Sequence, residues 1–216
     1  MQVMQAGSKF ADPNLDGMKL LRTIEMAGRI CYQSEPKDDS DEGVQKFVRG
    51  LIKRHHEAVL EHAVVSVIFT CDRGVSHELV RHRIAAYCQE SSRYCSYKGQ
   101  LKVIDLATGF KYDLNDPTDQ KKYAVWTRHC QMSEQDYNEM IDLGAQPQEA
   151  RSVLPTSTKT QVFATFNLRE WRHVFNLRAL GLTGPPHPQM LEVMVDLLEA
   201  FKIKIPVVFD DLHVQI

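Results

Sequence analysis

The sequence predicts an α+β fold, mixed helices and antiparallel strands in one domain spanning residues 1–216. Three observations carry that expectation. Stretches with a 3.6-residue apolar repeat and stretches of β-branched apolar residues both occur. They do not alternate regularly as strand–helix–strand units, so a parallel α/β sheet is not implied. No Gly-x-Gly-x-x-Gly occurs either, which removes the dinucleotide-binding fingerprint. At 216 residues the chain can bury a sizeable core.

The elements follow in order. Residues 14–32 have Leu21, Ile24, Ala27 and Cys31 spaced for one helical face. Residues 34–42 are polar and acidic and contain Pro36, so they form a loop. Ser40 or Asp41 then caps a second helix, whose Val44, Phe47, Val48, Leu51 and Ile52 fall at i, i+3, i+4, i+7 and i+8. Residues 63–70 are β-branched and apolar, the pattern of a buried strand. Asp72-Arg73-Gly74 marks a turn, and Ser76 can cap a short helix to Val80. Residues 94–97 and 101–104 read as strands. After a polar loop at 113–118, a long helix is predicted over 119–143, ended by Gly144. Its stripe of Tyr123, Trp126, Cys130, Tyr137 and Ile141 belongs to the core. Pro147 starts a short helix that Pro155 stops. Residues 159–166 alternate as a strand. Asn167 with Glu170 resembles a capping box for a helix that buries Trp171, Val174 and Phe175 and leaves Arg178 at the end of the apolar face. A Gly/Pro loop over 181–188 leads to a last helix, 188–201.

Composition excludes several classes. Apolar and charged fractions are ordinary for a soluble protein, and a net charge of −2 provides no basic field for non-specific nucleic-acid binding. Five cysteines, an odd number without Cys-x-x-Cys, argue for reduced thiols and a cytoplasmic setting. Residues 1–10 lack a signal-peptide apolar run, and no stretch approaches a membrane span. His56 and His62 are six apart, not four as helical zinc ligation by His-Glu-x-x-His needs, so no metal is expected there.

The densest chemistry lies in Arg81-His82-Arg83-Ile84-Ala85-Ala86-Tyr87-Cys88-Gln89-Glu90-Ser91-Ser92-Arg93-Tyr94. Guanidinium groups offer a planar fork of donors suited to phosphate. If extended, the segment would put Arg81 and Arg83 on one face. It contains no lysine and alternates polar with apolar residues, unlike a merely solvated turn. A partly buried Arg178 with no acidic neighbour on its helix face calls for an anion.

Arg-His-Arg, seven residues, then Ser, extended to Arg93-Tyr94, resembles the signature of flavin-dependent thymidylate synthases. The resemblance runs from the first helix to about Met190 and implies a homotetramer with FAD held between subunits. It also implies dUMP as substrate, with NADPH and methylenetetrahydrofolate as co-substrates, and no cysteine nucleophile despite Cys88 and Cys95. By the match, cofactor contacts are His56, Ala58 (where the family usually has a hydroxyl), Arg81, His82, Arg83, Gln89, Asn167, Arg169 and His173 (often Asn in the family). Nucleotide contacts are Glu78 (usually Gln), Arg81, Gln89, Glu90, Ser91, Ser92, Arg93, Arg151 beside Leu154-Pro155, and Arg178. Arg178 matches the arginine that polarises the uracil ring. Two alternatives remain: a homologue forming another 5-substituted product such as hydroxymethyl, and a nucleic-acid-binding module stacking bases on Tyr87 and Tyr94. Neutral net charge counts against the second; neither nucleic acid nor membrane is an expected partner.

Overall fold

The fold is built on two long strands, β3 (Val64–Asp72) and β6 (Lys159–Asn167), in a computed structural model that describes residues 1–214. They pair antiparallel along their whole length, with Val64 opposite Asn167 and Asp72 opposite Lys159. β2 (Gly7–Phe10) flanks β3, and β4 (Ala86–Gln89) flanks β6, both antiparallel. β1 (Gln2–Met4) and β5 (Lys102–Ile104) form a separate parallel pair. Eight α-helices complete the described residues: α1 (Gly17–Tyr32), α2 (Asp41–Lys53), α3 (Arg73–Leu79), α4 (Leu106–Phe110), α5 (Pro117–Asp142), α6 (Pro147–Ala150), α7 (Leu168–Arg178) and α8 (Pro188–Lys204). The α+β class is therefore as expected.

Alternation decides which sheet face is covered. On β3, Val65, Val67, Phe69 and Cys71 are buried; on β6, Val162, Ala164 and Phe166 are. These side chains share one face, because strand side chains repeat every two residues. They pack with Leu21, Ile24, Val44, Val48, Trp171, Phe175, Leu198 and Phe201 in one apolar cluster. The other face keeps Phe163 and Val64 exposed. β3 is thus buried on one face, with Ser66, Ile68 and Thr70 half-buried on the other. A second cluster holds Tyr97, Leu101, Val103, Cys130, Tyr137 and Ala150, and it accounts for part of the aromatic stripe of α5.

Several boundaries move, each for a visible reason. α1 begins at Gly17, because the Asp16 side chain accepts from the Lys19 amide; Cys31, assigned to its buried face, is exposed. Asp72-Arg73-Gly74 is no turn: the Asp72 carboxylate accepts from the Val75 amide at 2.7 Å and starts α3. Ser76, expected as the cap, is buried inside that helix. Residues 94–97 are not a strand, since the amides of Tyr94 and Cys95 donate to the Ser91 carbonyl. The strand of this region is β4, five or more residues earlier. α5 starts at Pro117 behind an Asp116 cap. The helix expected over 148–154 is α6 followed by a 3-10 turn, Arg151–Val153. α8 runs on to Lys204.

Gly17 fixes where α1 meets α8. A Cβ on it would stand 1.7 Å from the Lys204 carbonyl oxygen, a backbone atom that cannot swing aside. Gly17→Ala is expected to cost about 1–3 kcal/mol, as overpacking does. Urea denaturation measures it; an unchanged midpoint would mean the two helix ends are not in contact.

Candidate active site

Arg81, His82 and Arg83 lie in the turn between α3 and β4, not on a strand. The Tyr87 hydroxyl stands 2.7 Å from the carbonyl oxygens of both Leu79 and His82, and so ties this turn to β4. Arg81 and Arg83 point outward, and neither joins an ion pair among the described residues. His82 points inward and is 5% exposed. The expected cofactor contact at His82 is therefore a side chain turned away from solvent.

Arg178 closes over this turn from α7. Its Nε donates to His82 Nε2 at 3.2 Å, and one Nη donates to the Glu78 carboxylate at 2.8 Å. The other Nη is 3.5 Å from the Glu78 carbonyl, at the C-terminal end of α3. The anion Arg178 called for is thus supplied by α3, a hundred positions away in sequence. Burial, reinforced by the neighbouring Arg178 and His173, lowers the His82 pKa from 6.5 to about 4. Glu170 lies behind His82, its Oε1 3.6 Å from Nδ1, and burial raises its pKa. The half of the capping box that forms is the Asn167 side chain accepting from the Glu170 amide at 2.8 Å, while the Glu170 carboxylate turns to His82.

His82, Glu170 and His173 bring donor atoms within 4.8 Å of one another. No local spacing signals this group, because His82 comes from a different segment. A guanidinium occupies His82 Nε2 from the side, which makes the position unfavourable for a cation.

A cleft of about 550 Å³ opens beside this cluster, lined by Glu57, Glu61, Ile84, Asn167, Arg169, Glu170, Arg172, His173 and Asn176. Its carboxylates are largely engaged: Arg169 pairs with Glu61 at 2.5 Å, and the buried Arg172 lies 3.4 Å from Glu57. Arg172 also holds Asp211 and the Val208 carbonyl, which binds the C-terminal segment to α7. His56 and Ala58 line an adjoining cleft with Tyr32 and Arg169; both are exposed.

The remaining candidates gather at the far end of β4. Arg151 reaches the Ser92 hydroxyl at 3.4 Å, and Arg93 donates to Gln148 at 3.0 Å. Ser92 is buried, and Ser91 turns the chain. Glu90 accepts from Lys159 at 2.7 Å and from the Tyr97 hydroxyl at 3.1 Å, while Arg73 donates to its carbonyl. Gln89 spends its amide on Ser76 and Thr160 inside the fold. Lys159, Tyr97 and Arg73 join them as neighbours that no local spacing signals; the one clue is Lys159 opening a strand whose partner β4 ends at Gln89, just before Glu90. Of the candidates, the fold brings Glu78, His82 and Arg178 into one cluster, with Arg81 on the same turn but facing outward. It brings Glu90, Ser91, Ser92, Arg93 and Arg151 into a second, and Asn167, Arg169 and His173 to the cleft.

Comparison with known proteins gives a consistent result. Residues 15–207 match the Thymidylate synthase complementing protein family. A flavin-dependent thymidylate synthase of Pyrococcus furiosus is 35% identical over 164 residues, 73% of this chain and 66% of that protein. The chain thus spans just under two thirds of the length of that relative. Another, of Geobacter sulfurreducens, is 31% identical over 196 residues, 87% of this chain and 80% of that one. A crystal structure of a UMP/dUMP methylase from Streptomyces cacaoi bound with 5-Br dUMP shares the fold, with a TM-score of 0.79, 21% identity, and coverage of 97% and 96% of the two chains. A family match over nearly the whole chain, together with these relatives, places it: the chain belongs to the flavin-dependent thymidylate synthase family.

Proposed function

We propose that the protein catalyses reductive methylation of dUMP to dTMP, with FAD as cofactor and NADPH and methylenetetrahydrofolate as co-substrates. The observation that carries this is a guanidinium, Arg178, fixed on two sides against the turn that carries the outward-facing Arg81, with a separate serine–arginine set able to hold a phosphate. The cleft beside α7 suits a polar heterocycle: Asn176, His173 and Arg169 offer donors, and its carboxylates are mostly paired already. Arg81 and Arg83 would supply the charge that a diphosphate needs. Bound FAD would supply the hydride that completes the methyl group, NADPH would restore it, and the folate would donate the carbon.

The protein's own work is electrostatic. Arg93, Arg151, Ser91 and Ser92 hold the nucleotide phosphate. Arg178 stabilises negative charge developing on the uracil ring as its carbon attacks an electrophile. The thiols take no part: Cys71 and Cys130 are buried, with Cys71 pushed up to about 12, Cys31 is spent on the Ala27 carbonyl, and no side-chain hydrogen bond joins the exposed Cys88 or Cys95 to a base among the described residues.

The assembly we infer is a cytoplasmic homotetramer with sites shared between subunits. The uncovered sheet face with Phe163 and Val64, and exposed Ile84 and Tyr94 near the candidate residues, support it. Sedimentation of the purified protein tests it; a monomer would rule it out.

The reaction is tested by product analysis from labelled dUMP with the folate, NADPH and FAD. Thymidylate supports the proposal, 5-hydroxymethyl product would assign the sister chemistry, and no conversion by flavin-loaded protein would reject both. Within this reading, Arg151→Ala is expected to raise the KM for dUMP about tenfold or more with a smaller change in kcat. A charge-assisted hydrogen bond contributes about 1.5–3 kcal/mol. An unchanged KM would remove Arg151 from the phosphate site.

A further inference from the structure

We infer that His82 is a positioning residue: backed by Glu170, it holds the guanidinium of Arg178 through its Nε2. This rests on the reading of Arg178 as the group facing the pyrimidine.

The argument starts from donor chemistry. Arginine has five N–H donors and no acceptor. Its Nε–H points at His82 Nε2 at 3.2 Å, so that nitrogen must carry a lone pair. A neutral imidazole with an unprotonated Nε2 carries its proton on Nδ1. Nδ1 is the atom that faces Glu170, whose Oε1 is 3.6 Å away. A carboxylate on that side favours the proton there, as an orienting acid does for any histidine whose other nitrogen has a task. Burial comes first in disfavouring an imidazolium, and of the charged neighbours only Glu170 favours one. Arg178 and His173 on α7 disfavour an imidazolium, and Glu78 on α3 is spent on Arg178. His82 itself is 5% exposed, with its ring edge-on to His173 at 5.8 Å between centroids.

The consequence is geometric. Two contacts set the plane of the guanidinium: His82 at Nε and Glu78 at one Nη. With only Glu78 in place, the group would rest on one short bond to the carboxylate and a long 3.5 Å contact to the Glu78 carbonyl, and would be free to tilt about that residue. His82 removes that freedom, and Tyr87 fixes the His82 backbone from β4. The Arg-His-Arg segment therefore divides its labour, its two arginines facing outward and its histidine locking an arginine from α7.

The test uses the full chain, flavin-loaded, labelled with 15N-histidine, with His82 assigned by its absence in His82→Gln. Multiple-bond 15N–1H spectra report tautomer and charge. The expected result is a neutral Nδ1–H tautomer that persists at pH 5.5, and that is lost or mixed in Arg178→Ala. An Nε2–H tautomer, or an imidazolium at pH 6, overturns the inference. In turnover at saturating flavin, His82→Ala should lose at least about tenfold in kcat. His82→Gln, whose Oε1 can accept from Arg178, should recover to within about threefold of the parent. His82→Gln falling as far as His82→Ala at saturating flavin would overturn the inference. If Arg178→Lys turned over normally while His82 kept its Nδ1–H tautomer, the role of Arg178 would fail and the contact would stand, so the two failures are distinguishable.

Discussion

Arg178→Lys is expected to keep its fold and its flavin and to lose at least about tenfold in kcat, about 1.4 kcal/mol of transition-state stabilisation. The charge is conserved, so a role as a simple counter-ion to Glu78 would survive. What is lost is the planar fork. Arg178 serves His82 and Glu78 at once, with a donor left on each Nη for a substrate. A lysine ammonium can pair with Glu78, but from that position it cannot also fill the Nε–H site on His82. A buried Nε2 without a donor costs roughly 1–3 kcal/mol, and the ammonium would lie in no fixed plane. The bland alternative is that Arg178 caps helix carbonyls. The geometry gives that idea limited support: the nearest such contact is the long 3.5 Å approach to the Glu78 carbonyl, on α3 and not on its own helix. A cap would tolerate lysine with about 1 kcal/mol or less. Steady-state turnover of dUMP decides between them, and near-normal kcat would return Arg178 to a structural role.

What was legible in the sequence was whatever local periodicity or capping chemistry dictates. The second helix shows this: Ser40 caps it, and Val44, Val48, Leu51 and Ile52 are buried as their spacing predicts. So does the β6–α7 junction, where one Asn ends a strand and caps a helix. What failed was local chemistry with two meanings. Asp72-Arg73-Gly74 carries turn residues, yet the same aspartate is a helix cap, and only the pairing of β3 with β6 up to Asp72 tells them apart. β1 and β2 are three and four residues long and take their register from partners far along the chain, so their own composition says little. In the candidate site, residue types were legible and directions were not. The outward Arg81 and Arg83 alternate with the inward His82 as an extended chain would, but nothing local shows that the middle residue is the buried one. The Glu78–Arg178 pair joins residues of two segments that no pattern connects. Glu78 stands where the family usually has Gln; in the fold it is the counter-ion of the arginine.

The largest expected loss of stability is at Trp171, which bears on function because α7 carries Arg169, His173 and Arg178. Trp171 is fully buried, and its indole Nε1 donates to the Val65 carbonyl on β3 at 3.1 Å. Four aromatic rings surround it: Phe166 at 4.4 Å between centroids, Phe201 at 4.9 Å, Phe175 at 5.6 Å and Phe69 at 6.3 Å. These rings come from both central strands and from α7 and α8, so one side chain joins the sheet to two helices. Trp171→Ala opens a cavity that rigid neighbours cannot fill and is expected to cost about 3–5 kcal/mol. That is a large part of the roughly 5–15 kcal/mol available to a folded protein. At about 2–4 °C per kcal/mol for a chain of this size, Tm should fall by roughly 6–20 °C. Trp171→Phe keeps most of the volume and loses the bond to Val65, so it should cost less than Trp171→Ala, by about 1–3 kcal/mol. Below its own midpoint the alanine variant should still bind flavin. The Asn167 cap and the Arg172–Asp211 pair hold α7 independently of the indole, and excess flavin should raise the variant's Tm by mass action. Urea titrations of the three proteins measure the ordering. A Trp171→Ala loss below about 1 kcal/mol would mean that Trp171 does not join α7 to the sheet as the fold requires.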